Sequence, residues 1–188
     1  EAAALLVDGR LEDLLIDSDA PRPGTIYRAI AGRPMKGQGG LFLETPDGTA
    51  YLRQVKGIAP GQALLVQVTG FAEPGKAIPV TAKLLFKSRY AIATPEAPGV
   101  NLSRRIRDEE ERIRILAAAG TEAADESAHG LILRSACAGA DADEIAEDVD
   151  AMLTLADAVL SDAEGAAEKL TEGDGPHLLA WRDWSEPA

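Results

Sequence analysis

Arg134 and Ser135 follow the apolar run Leu131-Ile-Leu133. A guanidinium beside a hydroxyl at the end of an apolar strand can clamp a phosphate. The planar fork takes two oxygens and the hydroxyl a third. Arg104-Arg105 upstream can add positive charge. An arginine among so many carboxylates can equally form an ordinary ion pair, and the residues alone leave both readings open. A second group is Phe42 and Tyr51, on successive β-like runs, with Arg28, Lys36, Arg53 and Lys76 nearby. Aromatic faces stack bases while cations follow the backbone of a single-stranded nucleic acid. The same two rings could instead fill a core.

Other chemistries lack their residues. His129 and His177 stand far apart, with no cysteine or aspartate at ligand spacing, so no zinc site is expected. Nucleophile-elbow, P-loop and zinc-protease motifs are absent. Gly37-Gln-Gly-Gly40 lacks the following helix that would aim amides at a phosphate, so it reads as a turn or barrel loop. The acids of residues 141–150 could hold a divalent metal or form a solvated helix face. Cys137 is the single cysteine, which precludes an internal disulfide and suggests a reducing, cytoplasmic setting.

The elements that must position these groups differ along the chain. The 188 residues carry a net charge of −12, which by itself disfavours nucleic acid. The charge is segregated. Residues 1–19 carry −5, residues 20–107 carry +9 (thirteen Lys/Arg, four Asp/Glu) and residues 108–188 carry −16. No apolar run approaches the length of a membrane span, and no secretory signal opens the chain.

Asp8-Gly9 between two apolar runs predicts a hairpin, because both residues tolerate the positive φ of a type I′ turn. Its unpaired edge predicts a contact with another molecule. Ala20-Pro-Arg-Pro-Gly24 reads as a linker. Five β-like runs follow, Thr25–Ala31, Gly40–Glu44, Thr49–Gln54, Ala63–Gly70 and Lys76–Phe86, and predict a small closed barrel with Pro79 at an edge or bulge. Residues 108–120 read as a helix with acids in its first turn and Gly120 as its stop. Residues 131–134 read as a strand. Asp141-Ala-Asp-Glu144 caps a second helix to about Asp162, whose apolar face includes Ile145, Val149, Met152, Ala156 and Val159. The tail after Gly173 reads as loop, with Trp181 and Trp184 docked.

With Ile26-Tyr-Arg28, Gly40-Leu-Phe42, Leu102-Ser-Arg-Arg-Ile106 and Gly130-Leu-Ile-Leu-Arg-Ser135, the chain resembles the N-terminal part of bacterial ribonucleases of the RNase E/G family. The resemblance implies an α+β architecture. On that resemblance residues 1–20 are expected to be an incomplete RNase H-like opening hairpin, and 21–84 an S1 (OB-type) barrel. Residues 85–165 are expected to be a 5′-sensor-like α/β domain, and 166–188 a tail toward a catalytic domain beyond it. It implies RNA contacts at Arg28, Phe42, Tyr51 and Lys76. It also implies a 5′-monophosphate pocket from Arg104, Arg134, Ser135 and a backbone amide near Ile92. Serine stands where the family has threonine at 135, Ser88 where it has glycine, and Glu44-Thr-Pro-Asp47 where a further aromatic is usual.

The implied function is the RNA-binding, 5′-end-sensing portion of an endoribonuclease that acts on single-stranded RNA. The implied magnesium and catalytic carboxylates lie on the catalytic domain, so no catalytic or metal residue is assigned in this chain. Neither DNA nor membrane is an expected partner, and the resemblance allows a homo-oligomer in the full-length protein. The chain is expected to be the front part of a longer enzyme. The alternatives are a non-catalytic S1-like adaptor with an acidic, protein-binding helical region, and a metal-dependent hydrolase using the acids of 141–150.

Overall fold

A computed structural model describes residues 1–35, 37, 39–53, 56–95, 97–120 and 129–185. The chain divides into two compact units. One holds residues 1–84 and 159–180, the other residues 85–158 and 181–186.

In the first unit, β1 (Ala2–Val7) and β2 (Arg10–Ile16) form an antiparallel hairpin. Asp8 at φ 49° and Gly9 at φ 74° make its turn. Leu6, Leu11 and Ile16 on the hairpin remain largely exposed. The next five strands are β3 (Ile26–Pro34), β4 (Leu41–Thr45), β5 (Gly48–Leu52), β6 (Ala63–Val68) and β7 (Ile78–Thr81). They pair in the order β3-β4-β5-β7-β6, and β6 returns to β3, so the barrel is closed. Alternation fixes its inside. Leu41, Leu43, Ala50, Leu52, Ile78 and Val80 point inward to meet Tyr27, Ala29, Val66 and Val68.

Pro79 is not on an edge strand, because β7 has β5 on one side and β6 on the other. The β6 ladder begins at Val80, so the missing N–H falls at the ladder's end. The predicted run to Phe86 also stops early: Phe86–Lys87 is a separate strand, β8, in the other unit's sheet. Gln54, at the end of the third predicted run, lies outside the described residues.

The second unit is built on a sheet ordered β10-β11-β9-β8, with β9 (Ala91–Pro95), β10 (Val100–Leu102) and β11 (His129–Leu133). β10 and β11 are parallel, and β9 runs antiparallel to β11 and β8. Helix α1 (Glu109–Ala118) is capped by Asp108, whose carboxylate accepts the Glu110 amide. Helix α2 (Ala142–Ser161) contributes Ile145 and Val149 to a core with Ile106, Ile115, Leu131, Leu133 and Cys137.

The tail is more ordered than its composition suggests. Glu168–Thr171 forms β12, antiparallel to β3, and Pro176–Asp183 forms helix α3. Residues 159–180 thus belong with the barrel rather than forming a linker. Proline at the first helical position is the local reason for α3, since the N–H it lacks is unbonded there in any helix. No helix among the described residues is long and apolar enough to cross a membrane.

Candidate functional site

The barrel carries an aromatic pair on its outer surface. Strand alternation turns Leu41 and Leu43 inward and therefore Phe42 outward, 40% exposed. Phe42 is directly opposite Tyr51, with ring centroids 5.4 Å apart and planes tilted by 52°. Of the two readings of these rings, surface and core, the structure realises the surface one for Phe42; Tyr51 is half-buried. Gly40 sets the position of Tyr51. A Cβ there would lie 2.2 Å from the tyrosine oxygen and 2.6 Å from the ring, so only glycine lets the ring lie across this backbone.

One of the cations expected beside the pair, Arg28, does not present itself there. Arg28 is 5% exposed. Its Nε donates to the Ala166 carbonyl at 2.7 Å, and Nη1 to the Asp162 carbonyl at 2.9 Å and to the Asp162 carboxylate at 2.7 Å. Nη2 is bonded to Glu168. Arg28 is therefore corrected from an RNA contact to an internal brace: the outer face of β3 is covered by residues 162–168. Lys76 is exposed but ion-paired with Glu73 in the turn before β7. Arg53 is exposed just past Tyr51, Arg33 is exposed on β3, and Lys36 lies outside the described residues. Arg33 was missed because a bulge between Ala31 and Pro34 shifts the β3 register there.

In the second unit, parallel pairing does what spacing alone could not reveal. Leu102 is opposite Leu133, so Arg104 and Arg134-Ser135 leave β10 and β11 at the same end of the sheet. Leu133 is also opposite Ala91, which brings the Ser88–Tyr90 loop to that end. Arg104 and Ser135 are exposed. Ile92 is one residue inside β9, opposite Ile132 on one side and Lys87 on the other. A strand residue flanked on both sides directs its amide into a ladder. Ile92 is therefore corrected as an amide donor to a phosphate.

Arg134 is engaged. Its Nη1 donates to the Ser88 carbonyl at 2.5 Å and the Arg182 carbonyl at 3.1 Å, and Nη2 to Asp183 Oδ1 at 2.8 Å. This is the ion-pair reading. Lys87 Nζ lies 3.4 Å from the same carboxylate oxygen, and Arg182 donates to Asp183 through Nε at 3.1 Å and Nη2 at 2.9 Å. Burial raises the Asp183 pKa, but the hydrogen bonds from Arg182 and Arg134 outweigh it and bring the carboxyl down to about 2. Arg89 lies 4.4 Å over the Trp181 ring and donates to the Trp181 carbonyl. Lys87, Arg89 and Asp183 were not singled out in the sequence. The one available signal was the Lys-Ser-Arg cluster immediately before β9.

The acids of 141–150 do not gather into a metal site. Asp141 caps α2 through the Asp143 amide, Glu144 accepts the Tyr90 hydroxyl, and Asp148 accepts the Tyr90 amide and the Ser88 hydroxyl. No group of three or more His, Cys, Asp or Glu among the described residues could hold a metal ion. His129 is buried with Nε2 2.6 Å from Asp157.

Comparisons with known proteins agree on one relationship. Residues 86–186 match the family model described as the Ribonuclease E/G family. The chain is 25% identical over 181 residues to "Ribonuclease E" of Nostoc sp., covering 87% of this chain and 26% of that protein. It is 27% identical over 167 residues to "Ribonuclease E" of Synechocystis sp., covering 80% and 24%. It is 28% identical over 178 residues to "Ribonuclease G" of Haemophilus influenzae, covering 81% and 36%. The chain thus spans between a quarter and about a third of the length of these relatives.

Proposed function

Because the chain belongs to the ribonuclease E/G family, matched over more than half its length, we propose that it is the RNA-binding and 5′-end-sensing portion of such an endoribonuclease. The barrel face with Phe42 and Tyr51 stacks bases of a single strand, and Lys76, Arg53 and Arg33 neutralise its phosphates. The sheet end with Arg104, Arg134 and Ser135 receives a terminal 5′-monophosphate.

The observation that carries this reading is the convergence of Arg104, Arg134 and Ser135 at one end of the β10–β11 pair. A terminal monophosphate carries up to two charges and can accept charge-assisted bonds there, whereas a 5′-hydroxyl cannot. The exposed, facing pair Phe42–Tyr51 supports the stacking half of the reading.

Fluorescence anisotropy with a short single-stranded RNA, in 5′-monophosphate and 5′-hydroxyl forms, tests both halves. Phe42→Ala is expected to weaken both forms by about tenfold, from the typical worth of one aromatic stack. Arg134→Ala is expected to abolish the preference for the monophosphate and to leave the hydroxyl form unaffected. If neither substitution alters binding, the assignment is wrong.

A further inference from the structure

The cations at the end of the second unit's sheet already hold an anion. Lys87 Nζ and Arg134 Nη2 converge on the single carboxylate of Asp183, at 3.4 and 2.8 Å, and Arg182, its neighbour within the same segment, donates to it through Nε and Nη2. The same short segment offers further acceptors. The Arg182 carbonyl takes Arg134 Nη1, and the carbonyls of Trp181 and Trp184 take Arg89 Nη1. These carbonyls lie at the C-terminal end of α3, the negative end of its dipole. One carboxylate and three carbonyl oxygens therefore cover Lys87, Arg89 and Arg134, in an arrangement an oxyanion would reproduce.

We propose that residues 181–184 are a displaceable strap, with Asp183 standing in for the terminal phosphate of the ligand. The inference rests on the phosphate reading of Arg134 given above and assigns the regulation of that site. A carboxylate and a phosphate are both anionic acceptors, so they compete for one set of donors. The side chains of Arg134, Asp183 and Lys87 are 19%, 33% and 35% exposed, so a ligand can reach the pair from solvent. The strap lowers phosphate affinity by the fraction of time it is open. It also sharpens selectivity. A phosphate dianion replaces the lost carboxylate charge, whereas a 5′-hydroxyl terminus cannot and leaves the strap closed.

The strap carries its own reporter. Trp181 and Trp184 are the chain's only tryptophans, and Trp181 lies under the Arg89 guanidinium at 4.4 Å. Tryptophan emission therefore follows this segment alone.

The test compares a 5′-monophosphorylated with a 5′-hydroxyl oligoribonucleotide on wild type, Arg134→Ala and Asp183→Asn. Asparagine keeps the shape and removes the charge. Asp183→Asn is expected to raise the preference for the monophosphate about five- to tenfold, the worth of one partly exposed charge pair, with hydroxyl binding unchanged. A preference appearing only in Asp183→Asn also supports the strap. In wild type, the monophosphorylated RNA is expected to change the tryptophan emission and the hydroxyl form to leave it unchanged. That titration holds even if the variant fails to fold. A wild-type preference that Asp183→Asn leaves equal or lower overturns the strap but spares the phosphate site, making Asp183 a group that orients Arg134. Unchanged emission at saturating monophosphorylated RNA, in a wild type that prefers the monophosphate, overturns the strap as well. No preference in wild type or Asp183→Asn, together with an inert Arg134→Ala, removes the phosphate site itself.

Discussion

Replacing Arg28 by methionine separates its two roles, because methionine keeps most of the apolar stem and removes every donor. Four bonds are lost: two to backbone carbonyls, of Asp162 and Ala166, and two to the carboxylates of Asp162 and Glu168. The carboxylates are 57% and 59% exposed, so water solvates them again and their loss costs little. The carbonyls of Asp162 and Ala166 sit in part-buried bonds beneath a side chain that is 6% exposed, so water replaces the lost donors there only in part. An unsatisfied buried group costs about 1–3 kcal/mol; two part-buried carbonyls at the lower half of that range, about 1–2 kcal/mol each, give an expected destabilisation of about 2–4 kcal/mol. Arg28→Lys keeps one charge without the planar fork and should fall between, at about 1–2 kcal/mol. Gly165 belongs to the same arrangement. It sits at φ 133°, and a Cβ there would be 3.2 Å from the guanidinium, so the chain can close over Arg28 only at a glycine. The assay is equilibrium urea denaturation followed by circular dichroism, with the shift in midpoint as readout. A stability within about 0.5 kcal/mol of wild type, the scatter of ordinary surface changes, would refute the brace. RNA binding lost at unchanged stability would return Arg28 to the RNA surface.

Two further predictions follow from burial and charge. Cys137 has no exposed surface and its thiol is pushed up to about 11, chiefly by burial, so it should react with aromatic disulfides only as fast as the protein opens; rapid stoichiometric labelling at neutral pH would contradict this. The Asp183 carboxyl lies below its ordinary 3.8, at about 2, so its ion pairs contribute fully above about pH 4 and are lost as pH falls toward 2. With screening allowed for, that is about 1 kcal/mol. An acid titration of tryptophan emission should show the step in that window, and a step near pH 5 would contradict it.

What was legible in the sequence is what local chemistry encodes. Leu41, Phe42, Leu43, Glu44 and Thr45 alternate, so the outward direction of Phe42 could be inferred once a strand was assumed. Asp8-Gly9 specified a turn, and Asp108 and Asp141 specified helix starts. What was illegible depends on pairings between distant residues. The fate of Arg28 is set by residues 134 to 140 positions away, so nothing around it distinguishes a brace from a surface contact. The Ile92 amide was implied by the resemblance alone, and its own residues could not show that β9 has a neighbour on each side. The tail misled for a different reason: Gly173-Asp-Gly175 dominates its composition, yet Pro176 was a usable signal for the helix that follows it.

The segregation of charge along the sequence is partly undone in space, and this changes which cations count. Arg28 and Lys87 belong to the basic block of residues 20–107, but their partners, Asp162, Glu168 and Asp183, come from the acidic one. Arg22 pairs with Asp17 and Lys76 with Glu73. The +9 of that block therefore overstates the field available to a ligand. On the barrel, Arg33 and Arg53 are exposed, and no carboxylate of the described residues pairs with either. Lys56 and Lys83 of the same unit are exposed as well, and on the proposed reading Arg33 and Arg53 meet the phosphates beside the stacking pair. The slope of binding against salt measures this directly, because each phosphate neutralised on a single strand contributes about 0.7 to the slope of log K against log salt. Arg33→Ala with Arg53→Ala should lower that slope by about 1.4, two contacts' worth, while Arg28→Met should leave it unchanged. A slope that responds to Arg28 and not to the other two would mean that the ion pairs of β3 open when RNA binds, and that the segregated sequence, rather than the paired structure, describes what the RNA meets.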